Sequence, residues 1–275
     1  WILGGGWQMA SFPGGAPLAA DLDRIIPDRP VYLPNRDHHG TWVNSAALRI
    51  AGIDRHTPDP ADGRIERDDN GNPTGTLHEG ATTLVKKFIP ADTDQEKYQA
   101  LLTAQKILHS VGITGWQDAI VGNYGGHSDT CHVYQKAADS GDLVSRVVGA
   151  LWWDRDRGVE QIAEFREKRA AHRGDLFRAD SIKIMVDGIP ENHTAALGEP
   201  YIATGCHCSG EHRGISFVEQ ARLIEAVTAL DADGFQVHVH AIGDRAVTES
   251  LNAFEKALER NGKNDNRHHI AHLQI

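Results

Sequence analysis

Phe235-Gln236-Val237-His238-Val239-His240-Ala241-Ile242-Gly243-Asp244 is the stretch whose reading decides the fold. Alternation puts Phe235, Val237 and Val239 on one face and Gln236, His238 and His240 on the other, the pattern of a strand with an apolar back and an imidazole-bearing front. Gly243-Asp244 then marks a turn, and Ala246, Val247, Leu251, Phe254 and Leu258 follow at close to helical spacing. A strand that carries histidines to its carboxyl end and then turns into a helix is the unit from which β/α barrels build their sites.

Outward from this stretch, over 93–275, helix and strand alternate. Helices are expected over 94–110, 124–140, 159–171, 217–232 and 246–258, and strands over 112–119, 144–152, 181–188, from 235, and over 268–275. Five strands separated by helices predict a parallel sheet with helices packed outside it. Polar alternation then chooses among parallel sheets, because strands of a doubly wound sheet are covered, and apolar, on both faces. Here Ser181, Lys183, Met185 and Asp187 oppose Ile182, Ile184 and Val186, and His268, Ile270, His272 and Gln274 oppose His269, Ala271, Leu273 and Ile275. One face of each strand suits helix packing and the other a polar interior, which is the signature of a barrel lumen with a site in it.

Residues 1–92 have a different texture. Gly63 to Glu79 reads as a β-hairpin with Asn70-Gly71 at its tip, where positive φ is cheap. This segment is expected to be an insertion, with hairpin 63–79, into one incomplete domain over 1–275 whose β/α units occupy 93–275. The chain opens on Trp1-Ile2-Leu3 and stops at Ile275 inside an expected strand, so it is expected to be a piece truncated at both ends. Two unpaired sheet edges would follow, and with them a homo-oligomer or a rearranged edge.

A net charge of -10 and the lack of a basic stripe argue against a nucleic-acid partner. No apolar run reaches membrane-spanning length, and mean hydropathy is -0.42. Cys131, Cys206 and Cys208 are too few and too uneven for a disulfide framework, so a reducing, cytoplasmic compartment is the expectation. The 16 histidines favour metal or proton chemistry.

Lys183, His240 and His272 fall on the polar faces of successive strands and are expected to point into one cavity. A lysine buried there is either ion-paired, with Asp187 or another carboxylate, or deprotonated. In the second case its amine can take up carbon dioxide, and the carbamate can bridge two divalent metals beside neutral imidazoles. Asp37-His38-His39 reads by itself as a polar surface turn, and Asp244 as a helix cap. Cys206-His207-Cys208 with His212 reads either as a second zinc site or as a loop on the substrate side.

Several stretches together resemble the metal-dependent amidohydrolase superfamily, and within it amidohydrolase family 3, which includes the N-substituted formamide deformylases. They are Asp37-His38-His39 with Trp42 to Leu48, Pro73 to Glu79, Gly112-Ile113-Thr114 with Gln117-Asp118-Ala119, and Lys183-Ile184 with Val186-Asp187-Gly188. Thr194 to Leu197 with Pro200-Tyr201, His240 to Ala246, and Ile270 to Gln274 complete the set. The resemblance implies an α/β fold, a partial (β/α)8 barrel of roughly strands 2 to 6. It implies carbamylated Lys183 on the fourth strand and metal-binding His240 and His272 on the fifth and sixth.

The implied cofactor is one or two divalent metals, zinc first, activating water against a carbon–nitrogen bond of a small-molecule substrate. His39 is the implied contact to substrate or its carbonyl, and Asp118 the implied pocket residue at the end of the second strand. The family's His-x-His on the first strand and aspartate on the eighth have no counterpart here, so this fragment is expected to be weakly active or inactive. His238 is read only as a lumen neighbour. An ester, lactone or phosphoester hydrolase, or a catalytically silent paralogue, are the alternative readings.

Overall fold

The computed structural model describes residues 1–124, 128–202 and 211–275, and the chain divides into two compact units. The first unit comprises Trp1–Pro90 and Gly188–Ile215; the second comprises Ala91–Asp187 and Ser216–Ile275.

In the first unit, strands β1 (Ile2–Leu3), β2 (Val31–Pro34), β3 (Gly40–Val43), β4 (Gly63–Arg67) and β5 (Pro73–Glu79) form a mixed sheet in the order β1-β2-β3-β5-β4. The stretch 63–79 folds as the antiparallel pair β4/β5. At its tip Gly71 takes φ 81°, and the Asp68 carboxylate accepts the amides of Asn70 and Asn72, which closes the turn. Helices α1 (Ala19–Asp23), α2 (Ser45–Ala51) and α3 (Thr83–Lys86) accompany the sheet. Tyr32, Val43, Leu48, Ile65, Leu77 and Val85 form the core of this unit.

Two buried polar side chains organise that unit. Asn44, fully buried, caps α2 by accepting from the Ala47 amide at 3.1 Å and from the Val31 amide at 3.0 Å. Its amide group donates to the carbonyls of Ile26 and Arg29, so one side chain satisfies four backbone groups. Glu66 on β4 accepts from His78 Nε2 at 3.0 Å and from Arg64 Nε at 2.9 Å. Burial alone would raise its carboxyl pKa, but the bond to His78 and the Arg64 charge win and hold it at about 2.

The second unit opens with α4 (Asp94–Ser110), started by a capping box in which Thr93 and Glu96 satisfy each other's backbone amides. Then follow β6 (Gly115–Val121), α5 (Cys131–Asp139), β7 (Arg146–Trp152), α6 (Ile162–Ala171), β8 (Phe177–Met185), α7 (Gln220–Ala232), β9 (Gln236–Ala241), α8 (Asp244–Asn261) and β10 (His269–His272). All strand pairs are parallel, and the order β6-β7-β8-β9-β10 follows the sequence. A doubly wound sheet reverses its strand order once, whereas this order never reverses. Right-handed crossovers therefore return each helix to the same side, and the mixed α/β fold contains a curled parallel sheet of half-barrel form.

The helix side of that sheet is apolar. Phe177 stacks on Tyr134 of α5 at 4.8 Å, Phe235 meets Phe165 of α6 at 6.5 Å, and Ile182, Ile184, Val237 and Val239 are fully buried. On the other side Gln117 donates to the Ser181 hydroxyl at 3.0 Å. β8 starts at Phe177, earlier than the expected 181, because Phe177 and Ala179 already bury while Arg178 and Asp180 pair with each other outside. α5 starts later than expected, at Cys131.

Two outcomes follow from this unit-by-unit picture. Asn44→Ala removes a cap and strands buried backbone groups, and is expected to cost about 2–4 kcal/mol in urea unfolding, with Asn44→Asp intermediate because it keeps the acceptor and loses both donors. Because the folded pKa of Glu66 lies below its unfolded value of 4.5, its contribution is full above pH 4.5 and is lost as pH falls toward 2. The stability gap between the wild type and Glu66→Gln, measured by denaturant titration, should therefore narrow steadily below pH 4.5 and stay constant above it.

Candidate functional site

Register brings the basic side chains of the second unit together. Lys183 lies opposite His238, Met185 opposite His240, and His238 opposite His269. Paired residues in neighbouring strands share a face, so Lys183, His238, His240 and His269 line the side away from the helices. Lys183 is 4% exposed; its Nζ is 3.5 Å from His238 Nε2, and it makes no ion pair among the described residues. Burial pulls its pKa down to about 8. Burial, helped by the charges of Lys183, His269 and His272, pulls His238 down to about 3, so this imidazole is neutral at physiological pH.

Two imidazole pairs span β9 and β10. The rings of His238 and His269 lie 4.5 Å apart, as do those of His240 and His272. The expectation that His268, Ile270 and His272 share the lumen face is corrected here. His268 instead faces the helices, where its Nε2–H donates to Asp231 at 2.8 Å, its Nδ1 accepts the Val237 amide at 3.0 Å, and its ring stacks on Phe254. His272 reaches His240 by leaving regular strand geometry, with φ 88°. Sequence alternation has no access to that backbone reversal at the strand end.

Asp187 is fully buried and accepts the amides of Ile242 and Gly243 at 3.0 and 2.9 Å, with His240 Nε2 at 3.7 Å. It thereby fixes the turn after β9 rather than pairing with Lys183. Asp231 on α7 gathers Asn261, Asn264, Asn266 and His268, tying the end of α8 and the start of β10 to one carboxylate. Asp244 is the first residue of α8, where negative charge suits the helix N-terminus.

Asp118 is not brought to Lys183. It lies on the helix side, where its Oδ2 accepts from Tyr134 of α5 at 2.7 Å and its Oδ1 from the Ile120 amide, and burial raises its pKa against both bonds. Gln117, the preceding residue, faces the lumen instead. A cavity of about 860 Å³ opens at the amino ends of the strands, lined in part by Gln117, Val148, Gln236 and Arg146, at the opposite end of the sheet from His240 and His272.

The first unit holds its own polar cluster. His39 Nδ1–H donates to Glu79 Oε2 at 2.9 Å and to Oε1 at 3.1 Å. Thr194 Oγ1 donates to Glu79 Oε1 at 2.7 Å, and Asn192 Nδ2 donates to the same oxygen at 3.3 Å. Burial favours the neutral Glu79 carboxyl, but the hydrogen bonds from His39, Thr194 and Asn192 outweigh it and lower its pKa. A Cβ at position 188 would approach Glu79 Oε1 to 2.6 Å and collide with Thr194 Oγ1, so Gly188 is required there. Of the second candidate metal motif, Cys206, His207 and Cys208 lie outside the described residues, and His212 donates to the His193 carbonyl at 2.6 Å.

Glu79, Asn192, Thr194, His238 and His269 were not singled out from sequence as site residues. His238 had a signal in the alternation of β9, but the others depend on partners distant in the chain. Among the described residues no group of three or more His, Cys, Asp or Glu side chains is placed to hold a metal ion. Two imidazole pairs and one buried lysine are what the lumen face offers.

Comparison with known proteins adds the following. A family model described as "Amidohydrolase family" matches residues 1–275. The protein YtcJ of Bacillus subtilis (strain 168) is 34% identical over all of this chain and 49% of its own length. The N-substituted formamide deformylase of Arthrobacter pascens is 27% identical over 94% of this chain and 46% of its own. The crystal structure of an uncharacterized metal-dependent hydrolase from Pyrococcus furiosus superposes with a TM-score of 0.59 at 26% identity, covering 93% of this chain and 49% of that one. The chain thus spans about half the length of the curated relatives it matches.

Proposed function

The chain belongs to the amidohydrolase family, and from that membership we propose that its parallel unit is strands 2 to 6 of a (β/α)8 barrel and that the protein hydrolyses a carbon–nitrogen bond with a divalent metal. The substrate class is a small non-peptide amide, a formamide or an N-acyl compound. Lys183 is the observation that carries this reading. An amine 4% exposed, facing an imidazole instead of a carboxylate, loses its proton far more readily than a free lysine, its pKa drawn down by burial to about 8. A neutral buried amine is the form that takes up carbon dioxide, and the carbamate adds two oxygen donors to the lumen face.

That donor set fits zinc or a similar divalent ion. His240 and His272 supply neutral nitrogen donors from adjoining strands, and carbamylated Lys183 supplies oxygen. When bound, such an ion lowers the pKa of a water and polarises a carbonyl. The protein's own groups hold the arrangement. Asp187 fixes the turn after β9. Neutral His238 faces the Lys183 amine, and Asp231 with His268 sets the start of β10. His39 is the group proposed to meet the substrate. Similarity to an N-substituted formamide deformylase and to a metal-dependent hydrolase supports the bond type and the metal.

The test uses the whole chain equilibrated with zinc and carbon-13-labelled bicarbonate. A carbamate carbon-13 resonance is expected in the wild type and not in Lys183→Arg, and zinc affinity should fall more than about tenfold in Lys183→Arg and His240→Ala. Equal zinc retention in all three proteins, with no labelled carbamate in the wild type, would sink the proposal.

A further inference from the structure

Pairing across the parallel sheet puts one row of lumen side chains at a common height. Trp152 of β7 lies opposite Lys183 of β8, Lys183 opposite His238 of β9, and His238 opposite His269 of β10. The next row toward the carboxyl ends of the strands holds Met185 and His240. His238 therefore stands outside the proposed donor pair of His240 and His272, and its neighbour is the amine. Its Nε2 is 3.5 Å from Lys183 Nζ, its ring meets that of His269 at 4.5 Å, and its Nδ1 has no hydrogen-bond partner among the described residues. On the other flank of Lys183, the Trp152 ring packs against Tyr124 at 4.2 Å.

Buried polar side chains ordinarily have their hydrogen bonds made, and His238, 7% exposed, has a single polar neighbour within reach among the described residues. That neighbour is the nitrogen at which carbon dioxide adds. The Nζ lone pair forms the bond to carbon, a π pair of carbon dioxide moves onto oxygen, and the proton that nitrogen sheds goes to the bicarbonate buffer. The product is an anion whose two oxygens only accept hydrogen bonds, and a buried anion requires donors. An imidazole supplies one in place. Moving one hydrogen between its nitrogens turns Nε2 from the acceptor of an amine N–H into a donor to an oxygen, and no other group on Nδ1 opposes the exchange. A protonated ring would donate from Nε2 as well, so the geometry carries the argument whichever form is present.

We propose that His238 is a positioning residue for Lys183: its Nε2–H donates to one carbamate oxygen and holds the modified side chain on the lumen face. This rests on the reading that Lys183 is carbamylated, and it assigns the group that keeps it so.

The two ring nitrogens make the test specific, because a glutamine amide reaches about as far as Nε2 and an asparagine amide about as far as Nδ1. The whole chain, equilibrated with zinc, is titrated with carbon-13-labelled bicarbonate, and the carbamate is read from its carbon-13 resonance. The bicarbonate concentration at half-conversion is expected to rise at least about tenfold in His238→Phe and His238→Asn, and to return to within about threefold of the wild type in His238→Gln. In nitrogen-15 spectra of the carbamylated wild type, His238 Nε2 should carry the hydrogen. Equal half-conversion in the wild type and His238→Phe, rescue by asparagine as full as by glutamine, or a bare Nε2 in the carbamylated wild type would each overturn the proposal and leave the carbamate itself standing. A wild type that forms no carbamate removes this proposal together with the reading beneath it. The wild-type nitrogen-15 spectrum decides even where a variant fails to fold.

Discussion

In-register parallel pairing of β8, β9 and β10 is the constraint on which the candidate metal centre depends. Paired positions in neighbouring parallel strands point the same way, so placing Lys183 opposite His238 and His238 opposite His269 commits the intervening Ile184 and Val239 to the helices. A slip of one residue in either ladder would bury the lysine under α6 and α7 and present isoleucine to the lumen. The hydrophobic packing of the helix side and the polar chemistry of the lumen side are thus one decision, enforced by fully buried Ile182, Ile184, Val237 and Val239.

The two units carry contrasting electrostatics. The lumen face of the second unit gathers a lysine and four imidazoles, and burial draws Lys183 down to about 8 and, with the charges of Lys183, His269 and His272, draws His238 down to about 3. Neutral nitrogen bases in a dry setting are metal donors and nucleophiles. The first unit works the other way: Glu79 and Glu66 stay ionised because imidazole, hydroxyl, amide and guanidinium donors surround them. Fixed carboxylates orient what they touch, and orientation is what recognition of a substrate requires.

Much of the fold was legible in the sequence because its period is local. The alternation around Phe235 gives β9 and its two faces, the helical spacing after Ala246 gives α8, and the Asn-Gly tip gives the β4/β5 hairpin. Lys183 and His240 follow from the same alternation. His272 and Asp118 show where local period stops being enough. His272 joins the site through a left-handed φ at the end of β10, and the parity of β10 read without it assigns the wrong face to His268. Asp118 goes to Tyr134, a partner supplied by a helix, while Gln117 beside it takes the lumen position. Glu79 lay within a recognised stretch, yet its meaning comes from His39 and Thr194, which are 40 and 115 residues away.

Asp231 sits on α7, on the side of the sheet that faces away from the imidazoles, and it holds three asparagines and His268 from the segment that leads into β10. The last strand therefore takes its alignment from a helix that contributes no donor to the lumen. Damage at position 231 would surface as misplaced rings of His269 and His272 while α7 itself stays intact. Distance from Lys183 alone is therefore a poor guide to which side chains hold the imidazoles in place.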